Sequence, residues 1–178
     1  VETVLDVGSG AGEHAEEFRR LGKQVTTVDA SQHLGKPDIL ADFNEHIFDR
    51  TYDLVWACHV LEHQRNVGAF LEKTASCCAP GGHIAITVPP AKHNIVGGHV
   101  TIWNAGLLLY NLVLAGIDCC RAKVWQYGYN ISVIVEFREV IDLRDRGLVM
   151  DAGDLEKLQD LFPMSIRQNA DGVACVTA

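Results

Sequence analysis

The chain of 178 residues is short of positive charge: 15 Lys and Arg stand against 23 Asp and Glu, a formal net charge of -8. An acidic surface repels phosphate backbones, which disfavours nucleic acid as a partner. Arg19, Arg20 and Lys23 lie close together, but on one predicted helix, where they read as a solvated face. The sequence has no Cys-x-x-Cys pair. Its six cysteines are Cys58, Cys175 and the doublets Cys77-Cys78 and Cys119-Cys120. Residues adjacent in sequence do not easily bridge each other, so neither a disulfide framework nor a zinc site is expected, and no metal is assigned. Free thiols suit a reducing cytoplasm. No long apolar run is present either. The longest, Leu107 to Gly116, contains Asn111 and is too short to span a bilayer. No signal-peptide pattern is visible.

What is present is a globular composition, 48% apolar and 21% charged, at a length that suits one domain. Val4 to Val7 is a short apolar run ending in glycines, as in a buried parallel strand. A helix follows from about Glu13 to Leu21, with Phe18 and Leu21 facing inward and Gly22 as its stop. Further strands are predicted over 25–28, 38–40, 52–57 and 83–88, and further helices over 66–78, broken by Pro80-Gly81-Gly82, and 102–114. Two late strands, 117–126 and 130–137, flank a Tyr-Gly-Tyr turn. This alternation predicts a doubly wound, mostly parallel α/β sheet with an antiparallel C-terminal edge strand. Residues 1–141 read as the domain. Residues 142–178 read as a charged extension packed on it, with one helix over about 152–161. The chain opens almost directly on a strand, so a segment preceding Val1 is expected.

The loop Asp6-Val7-Gly8-Ser9-Gly10-Ala11-Gly12-Glu13 allows a tight turn and close approach of a ligand to backbone N–H groups. Its spacing is G-x-G-x-G, not the G-x-G-x-x-G of dinucleotide loops, and Glu13 stands at the last glycine position of that pattern. Asp6 and Glu13 would both repel a pyrophosphate, so they favour a cationic ligand without phosphate. Asp29, at the end of the second predicted strand, suits ribose hydroxyls in either class of ligand; its plainer reading is a turn or helix-cap residue.

VLDVGSGAG (4–12), VTTVD (25–29), ADF (41–43), YDLVWACHVLEH (52–63) and APGGHIAITVPP (79–90) together resemble class I S-adenosylmethionine (SAM)-dependent methyltransferases. They are most similar to the UbiE/UbiG-like, small-molecule branch. The resemblance covers roughly residues 4–90 and implies a Rossmann-like fold with SAM as cofactor. By position it implies that Asp6 faces the methionine ammonium. The backbone at Gly8, Ser9, Gly10 and Gly12 would line the methionine and ribose, and Asp29 would hold the ribose hydroxyls. Asp42 would meet the adenine amino group, Phe43 would supply a backbone N–H, and Ala57 and Cys58 would touch the methionine portion. The stretch from Asp29 to Asp42 is short for the family, which weakens Ala30 and Ser31 as adenine contacts.

Methyl transfer to a hydroxyl usually needs a general base, and histidine titrates in the right range. His59 and His99 are the leading candidates, at the carboxyl edge of the sheet where open α/β folds place ligands. His93 lies in the same loop as His99. His63 reads as a packing or capping residue, Glu62 as a solvated or helix-capping acid, and His14, His33, His46 and His83 as structural or surface residues. Trp103, Tyr110, Trp125, Tyr127 and Tyr129 are candidates for an acceptor pocket, with core packing as their plainer role. The expected activity is methyl transfer from SAM to an oxygen or nitrogen of a small molecule or glycan. The alternatives are a non-catalytic SAM-binding domain and an NAD(P)-dependent oxidoreductase.

Overall fold

A computed structural model describes residues 1–151 and 153–164. Seven strands form one sheet in the order β3-β2-β1-β4-β5-β7-β6. The strands are β1 (Thr3–Val7), β2 (Gln24–Asp29), β3 (Ile39–Leu40), β4 (Tyr52–Cys58), β5 (Cys78–Val88), β6 (Lys123–Tyr127) and β7 (Asn130–Glu136). The first five are parallel, and β7 runs antiparallel to both β5 and β6. The strand order reverses between β1 and β4, the switch point at which doubly wound sheets open a crevice.

β1 reads as an almost unbroken apolar run because it is central and covered on both faces. Leu5 and Val7 point into the main core with Val55, Ala57, Ile84 and Ile86. That face is covered by α2 (Val67–Cys77) and α3 (Ala105–Leu114), which bury Phe70, Leu71, Leu108, Leu109 and Leu112 completely. Burial of each such side chain contributes roughly 1.5–3 kcal/mol. Both helices start on an asparagine cap: Asn66 Oδ1 accepts from Ala69 N at 3.1 Å and Asn104 Oδ1 from Leu107 N at 2.8 Å. On the other face Val4, Leu54 and Ala85 form a smaller cluster with Phe18 and Trp56.

Helix α1 (Glu13–Arg20) leans on this second face through Ala15 and Phe18. Glu13 and Glu16 in its first turn and Arg19 and Arg20 in its last complement the helix dipole. Gly22, at φ 77°, ends it; Gly22 N donates to Arg19 O and Lys23 N to Phe18 O, satisfying the last carbonyls. Leu21 is 57% exposed, so the inward face expected for it is wrong: it occupies the cap, where the helical period no longer sets direction.

The other departures lie at element ends. β5 begins at Cys78 and carries Pro80-Gly81-Gly82 inside it, with a register shift against β4 between Tyr52 and Leu54. α3 starts three residues later than expected, at its Asn104 cap, and β6 occupies only the second half of 117–126. Among the described residues, the expected helix over 152–161 is replaced by a four-residue turn α4 (Asp154–Lys157) that passes into a 3₁₀ turn over Gln159–Leu161. Leu158, Leu161 and Phe162 belong to the main core. Ala152 and Cys175 lie outside the described residues.

Candidate active site

The carboxyl ends of β1, β2 and β4 converge at the switch point. Gly8, Gly10 and Gly12 all take positive φ, 67°, 52° and 85°, a conformation that costs other residues about 1–2 kcal/mol. Gly8 also has no room for a side chain, since a Cβ there would stand 2.4 Å from Val60 Cγ2. Gly8 N donates to Val28 O at 2.8 Å and Ser9 N to the same oxygen at 3.3 Å, tying the loop to β2. Gly12 caps α1 with no side-chain hydrogen bond.

Asp29 closes the loop. Its Oδ2 accepts from Gly10 N at 2.9 Å and its Oδ1 from Ser31 N at 2.8 Å. Both the turn role and a ribose role are compatible, because each carboxylate oxygen keeps a second lone pair. Ala30 is exposed beside it. The crossover from β2 to β3 carries no helix. It folds back so closely that a Cβ on Gly35 would stand 2.5 Å from Gly10 O.

Asp6 is 2% exposed, and its Oδ2 is buried with no hydrogen-bond partner. Burial pushes its carboxyl up to about 7; Arg19 opposes the rise and Asp29 adds to it. A buried, incompletely paired carboxylate is costly unless something cationic or hydrogen-bonding meets it. Asp42 is exposed, and its Oδ1 accepts from Asn44 N at 2.8 Å. The Phe43 ring is buried against Phe70 at 5.2 Å, so any role at the surface falls to its backbone. Ala57 is buried, in register with Val7. Cys58 is half-buried, and burial pushes its thiol up to about 11.

His59 follows β4 in a left-handed conformation, φ 58°, with its N–H bonded to Thr87 O at 2.9 Å. Strain of this kind gathers at functional sites. Its Nδ1 lies 3.1 Å from Glu62 Oε1 and its Nε2 2.8 Å from Asn130 Oδ1; Tyr129 stacks on its ring at 6.2 Å. Glu62 corrects its expected solvated role: it is fully buried under the loop after β5, which bonds to its carbonyl through Val100 N and Thr101 N.

His99 is half-buried and edge-on to His63, with ring centroids 5.1 Å apart. His63 in turn lies 2.7 Å from Gly98 O through Nδ1. Glu62, His63 and His99 offer ligand atoms within 4.8 Å of one another, a group that could hold a cation. Glu62 and His63 are also engaged with neighbours, Glu62 with His59 and His63 with Gly98, while Glu62 Oε2 is buried without a partner. His93 is exposed.

The aromatic candidates divide. Trp103 is buried in the core, and Tyr110 stacks on Phe162. Trp125, Tyr127 and Tyr129 are exposed on the β6–β7 hairpin, and the first two line a groove of about 240 Å³ with Trp56 and Ile134. Sequence reasoning missed Val60, Gly35, Glu62 and Asn130. Only Glu62 carried a signal, its position three residues after His59, the spacing of one 3₁₀ turn.

A family model described as "Methyltransferase domain" matches residues 1–126. The chain belongs to this family of methyltransferase domains. Among curated proteins it is 38% identical over 96 residues to a ubiquinone biosynthesis O-methyltransferase of Rhodopseudomonas palustris (strain BisB18), covering 47% of this chain and 38% of that protein. It is 37% identical over 97 residues, with the same coverage, to the protein of that name from Bradyrhizobium sp. (strain ORS 278). The chain thus spans well under half the length of these relatives. Among solved structures, the Burkholderia thailandensis 1,6-didemethyltoxoflavin-N1-methyltransferase, with bound 1,6-didemethyltoxoflavin and S-adenosylhomocysteine, superposes with a TM-score of 0.63 at 18% identity, over 77% of this chain and 71% of that one. A SAM-dependent methyltransferase from Archaeoglobus fulgidus superposes at 0.62 and 18% identity, over 76% and 86%. These likenesses establish the fold.

Proposed function

We propose that this domain binds SAM at the switch point and transfers its methyl group to a hydroxyl oxygen of a small molecule. The observation that carries the reading is the orphaned, buried Asp6 carboxylate beneath a loop that has no room for a side chain at Gly8 and open space at Gly12. An ammonium would satisfy Asp6; a pyrophosphate would be repelled by it and by Glu13. This is why SAM is preferred to a nicotinamide dinucleotide. When bound, SAM supplies a methyl carbon on a sulfonium: the acceptor oxygen forms the new bond with its lone pair as the carbon–sulfur pair returns to sulfur.

The chain's own residues bind, orient and handle the proton. Asp6 holds the ammonium, Gly8, Ser9, Gly10 and Gly12 present backbone to the ligand, and Asp29 accepts from the ribose. Asp42 and the Phe43 backbone bracket the adenine, Ala30 lies beside it, and Ala57 and Cys58 form the wall under the methionine. His59 takes the acceptor's proton, with His99 the second candidate for that role. The names of the curated relatives favour oxygen over nitrogen as acceptor, and a small molecule over a glycan. The cysteines among the described residues are free thiols, which supports a cytoplasmic setting, and no helix there is long and apolar enough to cross a membrane. We treat 142–178 as an extension of the 1–141 domain.

Calorimetry with S-adenosylhomocysteine and NADH tests the reading. Binding of the first and not the second is expected; the reverse overturns it. Transfer of radiolabelled methyl groups from SAM to hydroxyl acceptors separates an enzyme from a non-catalytic SAM-binding domain.

A further inference from the structure

We propose that the groove over β5, β7 and β6 holds the ring of an aromatic methyl acceptor between Trp56 and Trp125, with the acceptor's hydroxyl toward Thr87 and Ser132. This rests on the methyl-transfer reading above and deepens it by naming the class of acceptor, a neutral aromatic hydroxyl compound of one or two rings.

Residues in register on neighbouring strands project to the same face of a sheet. Asp6, Trp56, Ala85 and Ile134 form one such row across β1, β4, β5 and β7. Cys58, Thr87, Ser132 and Trp125 form the next, across β4, β5, β7 and β6. The face that carries Asp6 and Cys58 at the switch point therefore continues into the groove. Adjacent strands lie about 4.8 Å apart, so Thr87 stands one strand from the Cys58 wall. At the far end Tyr127 pairs with Asn130, whose Oδ1 meets His59 at 2.8 Å. The groove thus lies between the methionine wall and a candidate base. On this face α1 packs on Trp56 through His14 and Phe18, while α2 and α3 cover the opposite face.

The walls select the ligand. The groove measures about 240 Å³, room for one or two rings where a dry cavity of roughly 150 Å³ takes a benzene. Among the described residues no charged side chain lines it. Trp56 is a fixed wall, because His14 and Phe18 meet its ring edge-on at 5.3 and 5.4 Å. Trp125 and Tyr127 are the exposed walls on the hairpin. Flat rings gain from such walls by stacking and edge contacts. The floor is polar: Thr87 Oγ1 and Ser132 Oγ, both buried, lie 2.7 Å apart, Tyr127 OH lies 3.0 Å from Ser132 Oγ, and the Thr87 hydroxyl also bonds to the Cys58 thiol. Three bonds join four groups that each carry one hydrogen, so one hydrogen and spare lone pairs remain for a ligand hydroxyl. A wholly apolar segment laid in the groove would leave that hydrogen dry and unpaired, at a cost in free energy.

Calorimetry with naphthol on the chain saturated with S-adenosylhomocysteine tests this. Naphthol is expected to bind at least about tenfold more tightly than decahydronaphthol, which keeps the hydroxyl and both rings but has no flat face. Trp125→Ala is expected to weaken naphthol at least about tenfold and Ser132→Ala about threefold, with S-adenosylhomocysteine affinity within about twofold in both. Trp125→Phe is expected to keep most of the affinity, and it decides if Trp125→Ala does not fold. With radiolabelled SAM, kcat/KM for methyl transfer to naphthol should fall by the same factors. No naphthol binding, binding that Trp125→Ala leaves unchanged, or bound naphthol that is never methylated overturns the inference. Equal binding of decahydronaphthol makes the groove a seat for any apolar group and overturns it too. If the wild type does not bind S-adenosylhomocysteine, the cofactor reading fails, and naphthol calorimetry on the ligand-free chain still judges the groove.

Discussion

Asp6 should make cofactor affinity depend on pH in a window where free aspartate would not. Its carboxyl is pushed up to about 7 by burial and must be ionised to meet an ammonium. With S-adenosylhomocysteine as ligand, apparent affinity at pH 8 is close to its plateau. At pH 6 about nine-tenths of Asp6 is protonated, so Kd should rise about tenfold, or ~1.4 kcal/mol. The same burial acts on stability with the opposite sign. The folded-state value lies above the unfolded one, so the folded protein binds more protons between about pH 4 and 7, and stability falls as pH rises through that range. The loss is on the order of 4 kcal/mol by pH 8. Asp6→Asn should therefore raise the melting temperature of the ligand-free domain at pH 8 while abolishing the pH dependence of binding and fixing affinity at the low value. Calorimetry at pH 6, 7 and 8 and thermal melts on both proteins provide the measurements. A flat Kd for the wild type, or a slope that survives in Asp6→Asn, refutes the role given to this carboxylate.

Gly8→Ala meets both a left-handed backbone and Val60 Cγ2, and should lower stability by about 2 kcal/mol or more and remove S-adenosylhomocysteine binding by calorimetry. Asp29→Ala removes the acceptor for Gly10 N as well as a ribose partner, so affinity should fall at least about tenfold, with a small change in melting temperature. Phe70→Ala empties the centre of the main core and should cost about 3–5 kcal/mol in a denaturant titration. Cys58, pushed up to about 11 by burial, should alkylate with iodoacetamide at pH 8 roughly a hundredfold more slowly than a free cysteine of ordinary value 9.0; a rate equal to that of an exposed thiol would contradict its placement.

The first half of the chain was legible from residues 4–90 because its signals are local. A buried parallel strand must read as β1 does, three left-handed turns in succession need Gly8, Gly10 and Gly12, and an acid at a strand end reads as Asp29 does. The mostly parallel sheet and its antiparallel C-terminal end followed from the spacing of strands and helices, since connection length decides which strands can pair; the strand order came with the structure. What surrounds His59 was not legible. Glu62 reads as a surface acid in a five-residue string, and only the loop after β5, folding across it, removes it from water. Asn130 comes 71 residues after His59 and meets it because β7 inserts between β5 and β6. Leu21, Trp125 and Tyr127 went the other way, apolar by type yet exposed, because burial depends on whether another element covers that part of the surface. Sequence alone thus determined the strand–loop–helix unit and its chemistry, because left-handed turns and a buried strand constrain residue type position by position. Tertiary structure alone decided the burial of Glu62 and the meetings of His59 with Asn130 and of His63 with Gly98, which long-range packing sets and no local pattern encodes.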